Sequence, residues 1–392
     1  MARSGNNVVV HVLVAMVVLW DGAAAGAAAL PLPDLETTTT MNDTVTGSLS
    51  ADFHLESCPD LHSMVRSAVQ AARNQDVQIT AGLLRIFFHD CFPQGCDASL
   101  LLDKTHPGSE QHVHPQNAGL NHKALQLIES IRDMVHRRCG ERSVSCADIL
   151  AVATSHAVNL AGGPFINMQL GHRDSVDPAQ PWQVQTLPAP TADVTTLFNS
   201  FAGKGFVNAI DVVALSGAHT VGKARCSSFS DRTNNPNDDG FARELAAFCA
   251  GDGNRQHNLD VITPDSFDNR YFADLINRKG VLTSDQALTN DGRTAWIVNV
   301  FAHDQANFFQ KFAQAMEKMS RLTSPGGVKA RRNCFKRDAG VNIQTTVPAC
   351  GLCLMHISTS RSKSLLPLYM WSVDRQISNT TSGNVCPCLL GS

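Results

Sequence analysis

Arg85-Ile86-Phe87-Phe88-His89-Asp90-Cys91-Phe92-Pro93-Gln94-Gly95-Cys96-Asp97-Ala98-Ser99 puts a base, a cation, hard oxygen donors and two cysteines into fifteen residues. Arg85 and His89 stand four apart, so on a helix they share one face and can reach one reacting molecule together. Asp90, Asp97 and Ser99 flank the short Cys91 to Cys96 loop and offer the oxygen donors that Ca²⁺ prefers. A base and cation on one helical face thus run directly into a rigidifying element. Arg85 and His89 alone would suit a surface helix with a satisfied histidine; the full constellation does not.

Outward from this stretch, the chain of 392 residues carries a net charge of -3 and no Lys/Arg-rich run. That excludes a nucleic-acid footprint and a polybasic membrane patch, and points to soluble partners. Residues 1–29 read as a secretory signal peptide, with a weakly basic start at Met1 to Arg3, an apolar core from Val8 to Leu19 and small residues from Ala23 to Ala29. The apolar part is too short to span a bilayer. In a chain sent for secretion, 12 cysteines favour disulfides over metal thiolates. Residues 30–48 are rich in Thr, Pro and Gly, hold the sequon Asn42-Asp43-Thr44 and read as a flexible lead-in. Beyond Ala339 the helical pattern stops; residues 339–392, with Cys350, Cys353, Cys386, Cys388 and the sequon at Asn379, form a C-terminal extension. Residues 49–338 are the domain.

Within the domain, helices dominate. Leu61, Met64, Val65, Ala68, Val69 and Ala72 form one apolar stripe after Pro59. Thr80 is placed to cap the helix carrying Arg85 and His89. Asn121 opens another helix with Leu125, Ile128, Ile131 and Val135, closed by Gly140, and Ser145 to Asp148 resembles a capping box opening an apolar helix that ends at Gly162. Further helices fit Ala192 to Ala202, Asn208 to Ser216, Asn269 to Lys279 and Thr294 to Ser320. No alternating run supports a strand, so the fold class is mainly α.

A second constellation lies about 130 residues downstream, where His219 and Thr220 follow an apolar helix. Alone, His219 reads as a hydrogen-bonded core histidine. Asp260, Thr263, Ser266 and Asp268 then gather oxygens within nine residues, which suits either an Asx/Ser turn around Pro264 or a second Ca²⁺ site. Asp285 is a carboxylate in an apolar neighbourhood, and a carboxylate paired to a histidine commonly orients and enriches a metal ligand.

Seven separated motifs then carry a resemblance. They are Arg85-x-x-Phe88-His89-Asp90-Cys91-Phe92-x-x-Gly95-Cys96-Asp97-Ala98-Ser99, Val144-Ser145-Cys146-Ala147-Asp148-Ile149-Leu150, Leu170-Gly171-His172-Arg173-Asp174-Ser175, Leu187-Pro188-Ala189-Pro190, Leu215-Ser216-Gly217-Ala218-His219-Thr220-Val221-Gly222, Phe267-Asp268-Asn269-Arg270-Tyr271 and Ser284-Asp285-Gln286. Together, from about Leu49 to Arg337, they resemble the secretory plant haem peroxidases of class III.

The resemblance implies two helical lobes enclosing one haem b, with two Ca²⁺ ions. It makes His219 the axial ligand of iron, Asp285 the acceptor of its other ring N–H, His89 the distal acid–base group and Arg85 the cation that stabilises charge as the peroxide bond breaks. Phe88 would wall the pocket and Pro188 would lie where phenolic donors bind. The distal Ca²⁺ would be held by Asp90, Asp97 and Ser99 with the Pro93 and Gly95 carbonyls, the proximal one by Thr220, Asp260, Thr263, Ser266 and Asp268. Eight domain cysteines admit 105 pairings; the resemblance selects Cys58 with Cys139, Cys91 with Cys96, Cys146 with Cys334 and Cys226 with Cys249. The bridge from Cys146 to Cys334 closes the longest loop and could contribute ~4–5 kcal/mol in the chain-entropy picture.

Three departures stand out. The family's Glu is followed six places later by Asn; here Glu110 is followed at that place by Gln116, with Asn117 one residue on, so Glu110 and Gln116 are the expected distal network. Pro93 stands where Val is common but keeps its carbonyl. The segment between Cys226 and Cys249 is shorter than in many members. The expected function is a secreted, monomeric peroxidase of the cell wall, or alternatively the vacuole, reducing H₂O₂ and oxidising small phenols in two one-electron steps. The competing class is a secreted haem- and calcium-binding wall protein with impaired turnover.

Overall fold

In the computed structural model, residues 48–234, 236 and 239–338 are described. The signal peptide, nearly all of the lead-in and the C-terminal extension expected from sequence lie outside them. Four helices form the first group: α1 (Leu61–Gln75), α2 (Ile79–Gln94), α3 (His122–Cys139) and α4 (Cys146–Leu160). Helix α4 is buried at every residue from Cys146 to Val158, which is why its apolar residues fall on all sides rather than in one stripe. Both α1 and α2 pack on it. The α1 stripe buries Leu61, Val65 and Val69, and each such side chain contributes roughly 1.5–3 kcal/mol of hydrophobic stabilisation.

The second group comprises α5 (Val194–Ala202), α6 (Ala209–Ser216), α7 (Gly240–Cys249), α8 (Arg270–Ile276), α9 (Thr283–Asn290), α10 (Ala295–His303) and α11 (Gln305–Met319). Phe267, Phe272, Phe301, Phe308 and Phe312 make an interlocked aromatic core beneath α6, with ring centroids 4.8–5.9 Å apart. Gly217, at the end of α6, permits this, since a Cβ there would meet Phe308 at 2.5 Å.

Caps follow the side-chain chemistry of the sequence. Asn121 accepts from Ala124 N at 3.0 Å, Ser145 from Asp148 N at 3.0 Å and Asn208 from Ile210 N at 2.9 Å, each cap being worth about 1 kcal/mol. Thr80 does not cap α2: its hydroxyl donates to Ala157 O and accepts from Arg73, tying α1, α2 and α4 together. The helix expected from Thr294 to Ser320 is two helices. Asp304 leaves helical geometry at φ -132, ψ 88 and its carboxylate caps α11 through Asn307 N, and this Asx cap competes with helix continuation. Two short strands, β1 (Lys223–Arg225), just after His219, and β2 (Gln256–Asn258), just before Asp260, pair antiparallel; three residues each are too few to show alternation.

Two motifs are absorbed by the scaffold. Asp148 accepts from Gly171 N, His172 N and His54 Nε2. Asp174, wholly buried, accepts from Cys146 N at 3.0 Å, Ala147 N at 3.1 Å and Arg331 N at 2.7 Å, joining the start of α4 to the end of the domain. Disulfides link Cys58 with Cys139, Cys91 with Cys96, Cys146 with Cys334 and Cys226 with Cys249, the same four pairs that the resemblance implies.

Candidate active site and calcium sites

Two histidines from the two helix groups are each held by Nδ1. On α2, His89 Nδ1 lies 2.7 Å from Asn117 Oδ1. The other end of that amide is committed, because Asn117 Nδ2 donates to Glu110 O at 3.2 Å. Its oxygen must therefore face the ring, and His89 must carry its proton on Nδ1. Burial above all, with Arg85 nearby, pushes the His89 pKa down to about 3, so the ring is neutral and its Nε2 is a free base. In the other group, His219 Nδ1 donates to Asp285 Oδ1 at 2.8 Å. Burial opposes charge on His219, but the Asp285 carboxylate more than offsets it and the pKa is raised. With Nδ1 engaged, the His219 ring remains 37 % exposed. Among the described residues, neither Nε2 has a hydrogen-bond partner.

The segments bearing these histidines meet at one end. A Cβ on Gly222 would touch that of Ala81 at 2.7 Å, and one on Gly119 would meet the Arg225 guanidinium at 2.5 Å. Arg225 also perturbs Arg85 electrostatically, so β1 brings a second cation to the edge of α2. Arg85 donates to the carbonyls of Gly119 at 3.2 Å and of Gln116 and Ala118 at 3.1 Å; neither arginine has a carboxylate partner among the described residues. Phe88 packs against Phe92 with ring centroids 4.9 Å apart and planes tilted, and meets His89 edge-on at 6.0 Å.

The distal amide is a correction to the sequence expectation. Gln116 reaches the site only through its backbone carbonyl and its side chain is exposed, whereas Asn117 is buried against His89. The short helical turn Pro115–Asn117 takes up the extra residue and swings the next amide inward. Glu110 is wholly buried, accepts from Ala179 N at 2.8 Å and has its pKa pushed up by burial to about 7.

Around the Cys91–Cys96 loop, Asp90 accepts from the backbone of Asp97, Ala98 and Leu100, and Asp97 accepts from Ser99 N and Gln94. Both carboxylates are buried and held above their usual pKa, Asp90 by burial and then by Asp97, and Asp97 by burial. Ser99 Oγ is buried and has no hydrogen-bond partner among the described residues. Gly95 sits at φ +110, where a Cβ would run into the Thr323 backbone at 2.4 Å, so only glycine can close the loop. Pro93 O accepts from Lys204 Nζ at 2.7 Å. Two adjacent buried carboxylates and an orphaned hydroxyl fit a hard divalent cation, which would remove the cost of burying both charges.

The proximal cluster assembles in the same manner. Thr220 Oγ1 lies 3.1 Å from Asp260 Oδ2 and 3.4 Å from Asp268 Oδ1, and Thr263 Oγ1 lies 3.0 Å from Asp268 Oδ1. Burial and then neighbouring Asp268 raise the Asp260 pKa. Ser266 lies on the same loop with its side chain exposed. No group of three His, Cys, Asp or Glu side chains that could hold a metal ion occurs among the described residues, so an ion at either cluster would need hydroxyl and carbonyl oxygens as well. Pro188 is half-buried on the loop whose Pro190 carbonyl accepts from Ser284 N at 2.9 Å, beside Asp285.

Sequence reasoning missed Asn117 as the His89 partner, and it assigned no role to Arg225, Lys204 or Tyr271. Asn117, one place past the family position, and Tyr271, inside a quoted motif, carried a signal.

A peroxidase family model matches residues 65–304. Cationic peroxidase SPC4 of Sorghum bicolor is 44% identical over 300 residues, covering 74% of this chain and 82% of that protein. Peroxidase 12 of Arabidopsis thaliana is 41% identical over 300 residues (74% and 83%), and peroxidase 2 of Oryza sativa subsp. japonica 40% over 305 residues (76% and 94%). The chain belongs to the plant class III peroxidases, haem-containing oxidoreductases that act on H₂O₂ and a donor substrate. Calcium is a general companion of the haem in this family.

Proposed function

We propose that this chain binds one haem b between His89 and His219, reduces H₂O₂ and oxidises small phenols by two one-electron steps. The observation that carries the reading is the asymmetry of the two histidines: both are pinned at Nδ1, one by a neutral amide and the other by a carboxylate. His219 would hold the iron through Nε2, and Asp285 would make that imidazole electron-rich. Haem, when bound, supplies the redox centre at which peroxide is split. His89 Nε2, kept neutral by its low pKa, takes the proton from the inner peroxide oxygen and returns it to the outer one as water leaves. Arg85 supplies positive charge beside this transfer.

Asp90, Asp97, Ser99 and the Pro93 and Gly95 carbonyls are the proposed distal Ca²⁺ ligands, and Thr220, Asp260, Thr263, Ser266 and Asp268 the proximal ones. Each set includes the residue that follows one of the two histidines, Asp90 after His89 and Thr220 after His219. Donors would approach near Pro188. Tyr271 is buried, so no described tyrosine can relay electrons from a bulky polymer at the surface. Four disulfides suit an oxidising compartment, and no described helix is long and apolar enough to cross a membrane; secretion of a monomer, to the wall or vacuole, is the corresponding proposal. Impaired turnover is the alternative favoured by Gln116 at the family's Asn place and by the C-terminal extension; Asn117 against His89 speaks against the first ground, and the extension lies outside the described residues.

The test is the absorption spectrum of purified protein before and after H₂O₂. A ferric haem Soret band that changes with peroxide and returns on adding a phenol is the expected result. Folded protein that takes up no haem would refute the reading.

A further inference from the structure

The carboxylate that receives the His219 proton has a second donor. Tyr271 Oη donates to Asp285 Oδ1 at 2.9 Å, the same oxygen that His219 Nδ1 meets at 2.8 Å. The remaining oxygen, Oδ2, accepts from Leu282 N at 3.3 Å. Tyr271 is 1 % exposed and its ring stands edge-on to His219 at 6.1 Å. Its hydroxyl has no other hydrogen bond among the described residues. Burial, followed by the neighbouring carboxylate, raises its pKa well above the usual value, which keeps it a donor.

We infer that Tyr271 is a positioning residue that tunes the electron richness of His219 by competing for the Asp285 oxygen. The inference rests on the reading that His219 ligates haem iron. Two hydrogen bonds to one oxygen share its negative charge, so the phenol weakens the pull of Asp285 on the imidazole proton. Removing the phenol concentrates that charge on His219 and makes it the stronger donor to iron. Removing the carboxylate does the reverse. The two substitutions must therefore move the metal in opposite directions, which a merely structural tyrosine would not do.

The experiment uses the full-length haem-loaded protein and reads the ferric/ferrous midpoint potential together with the iron–histidine stretching frequency of the ferrous form. Tyr271→Phe is expected to favour the ferric state by about three- to tenfold in equilibrium constant, the effect of one hydrogen bond, or ~30–60 mV lower at 59 mV per tenfold. The stretching frequency should rise. Asp285→Asn should raise the potential and lower the frequency, and adding Tyr271→Phe to it should produce less than half the single-variant shift. Because the chain has only 2 tyrosines, a Tyr369→Phe protein grown with 3-fluorotyrosine carries the label at Tyr271 alone. That near-isosteric, stronger donor should raise the potential, and it decides the matter should Tyr271→Phe fail to hold haem. A shift under about 1.5-fold from both Tyr271 probes, or a shift by Tyr271→Phe of the same sign as Asp285→Asn, overturns the inference while leaving the ligand assignment intact. If Asp285→Asn moves neither readout, the ligand assignment itself falls and the inference with it.

Discussion

Replacing Asn117 by Ala should cost the protein most of its speed with peroxide while leaving its fold intact. The 2.7 Å bond from His89 Nδ1 to Asn117 Oδ1 fixes the tautomer, and the bond from Asn117 Nδ2 to Glu110 O fixes which end of the amide does so. Losing the acceptor leaves a buried N–H unpaired at about 1–3 kcal/mol and lets the ring populate the tautomer whose Nε2 is already protonated. Misplacing a group that must be held in reactive geometry can cost about 10²-fold, so a fall of that order is expected in the second-order rate of reaction with H₂O₂, read by stopped-flow absorption. Gln116→Ala removes an exposed side chain while keeping the carbonyl that Arg85 uses, so it should stay within about twofold, as surface substitutions do. Asn117→Asp adds a further test: a charge in place of the neutral acceptor should raise the His89 pKa from about 3 and move the acid limb of the rate profile to higher pH. Equal effects of Asn117→Ala and Gln116→Ala, or none from either, would mean that Asn117 does not hold the His89 tautomer.

His89→Ala should slow peroxide cleavage by about 10²–10⁴-fold yet retain haem, measured as the Soret-to-protein absorbance ratio; parallel loss of both would mark His89 as structural. Chelation with EDTA should lower turnover and the thermal midpoint before haem is lost, with Ca²⁺ restoring both and Asp97→Ala reproducing the distal part; displacement of a catalytic ring by ~1 Å can cost about 10²-fold. Indifference to chelator, with no calcium on elemental analysis, would remove both proposed sites. His156, its pKa lowered to about 4 by burial and then by His62 and Arg66, binds fewer protons folded than unfolded between about pH 4 and 6.5. Stability should therefore fall as pH drops through that window, and His156→Gln should recover ~2–3 kcal/mol at pH 4 relative to pH 7; urea melts at the two values check it.

Much of the site was legible because it is local. Arg85, His89, Asp90 and Asp97 share one helix and the loop it feeds, and the spacing of four puts Arg85 and His89 on one face whatever the rest of the chain does. The caps at Asn121, Ser145 and Asn208 were readable for the same reason, since each bonds a backbone N–H two or three residues on. Reading failed where a side chain had two competing uses. Thr80 chose long-range bonds over capping, and Asp304 chose to cap α11 rather than continue the helix before it.

The mainly helical class, the largely apolar central helix α4 and the two histidine neighbourhoods follow from local pattern, because periodicity, capping chemistry and motif order are properties of short segments. Tertiary structure decided which amide meets His89, that Tyr271 and His219 share one oxygen of Asp285, and that Arg225 stands beside Arg85 and Gly119. Those facts depend on how a three-residue turn absorbs an extra position and on how helices far apart in sequence pack. An ångström of displacement there changes which atoms can bond, and spacing along the chain carries no such precision.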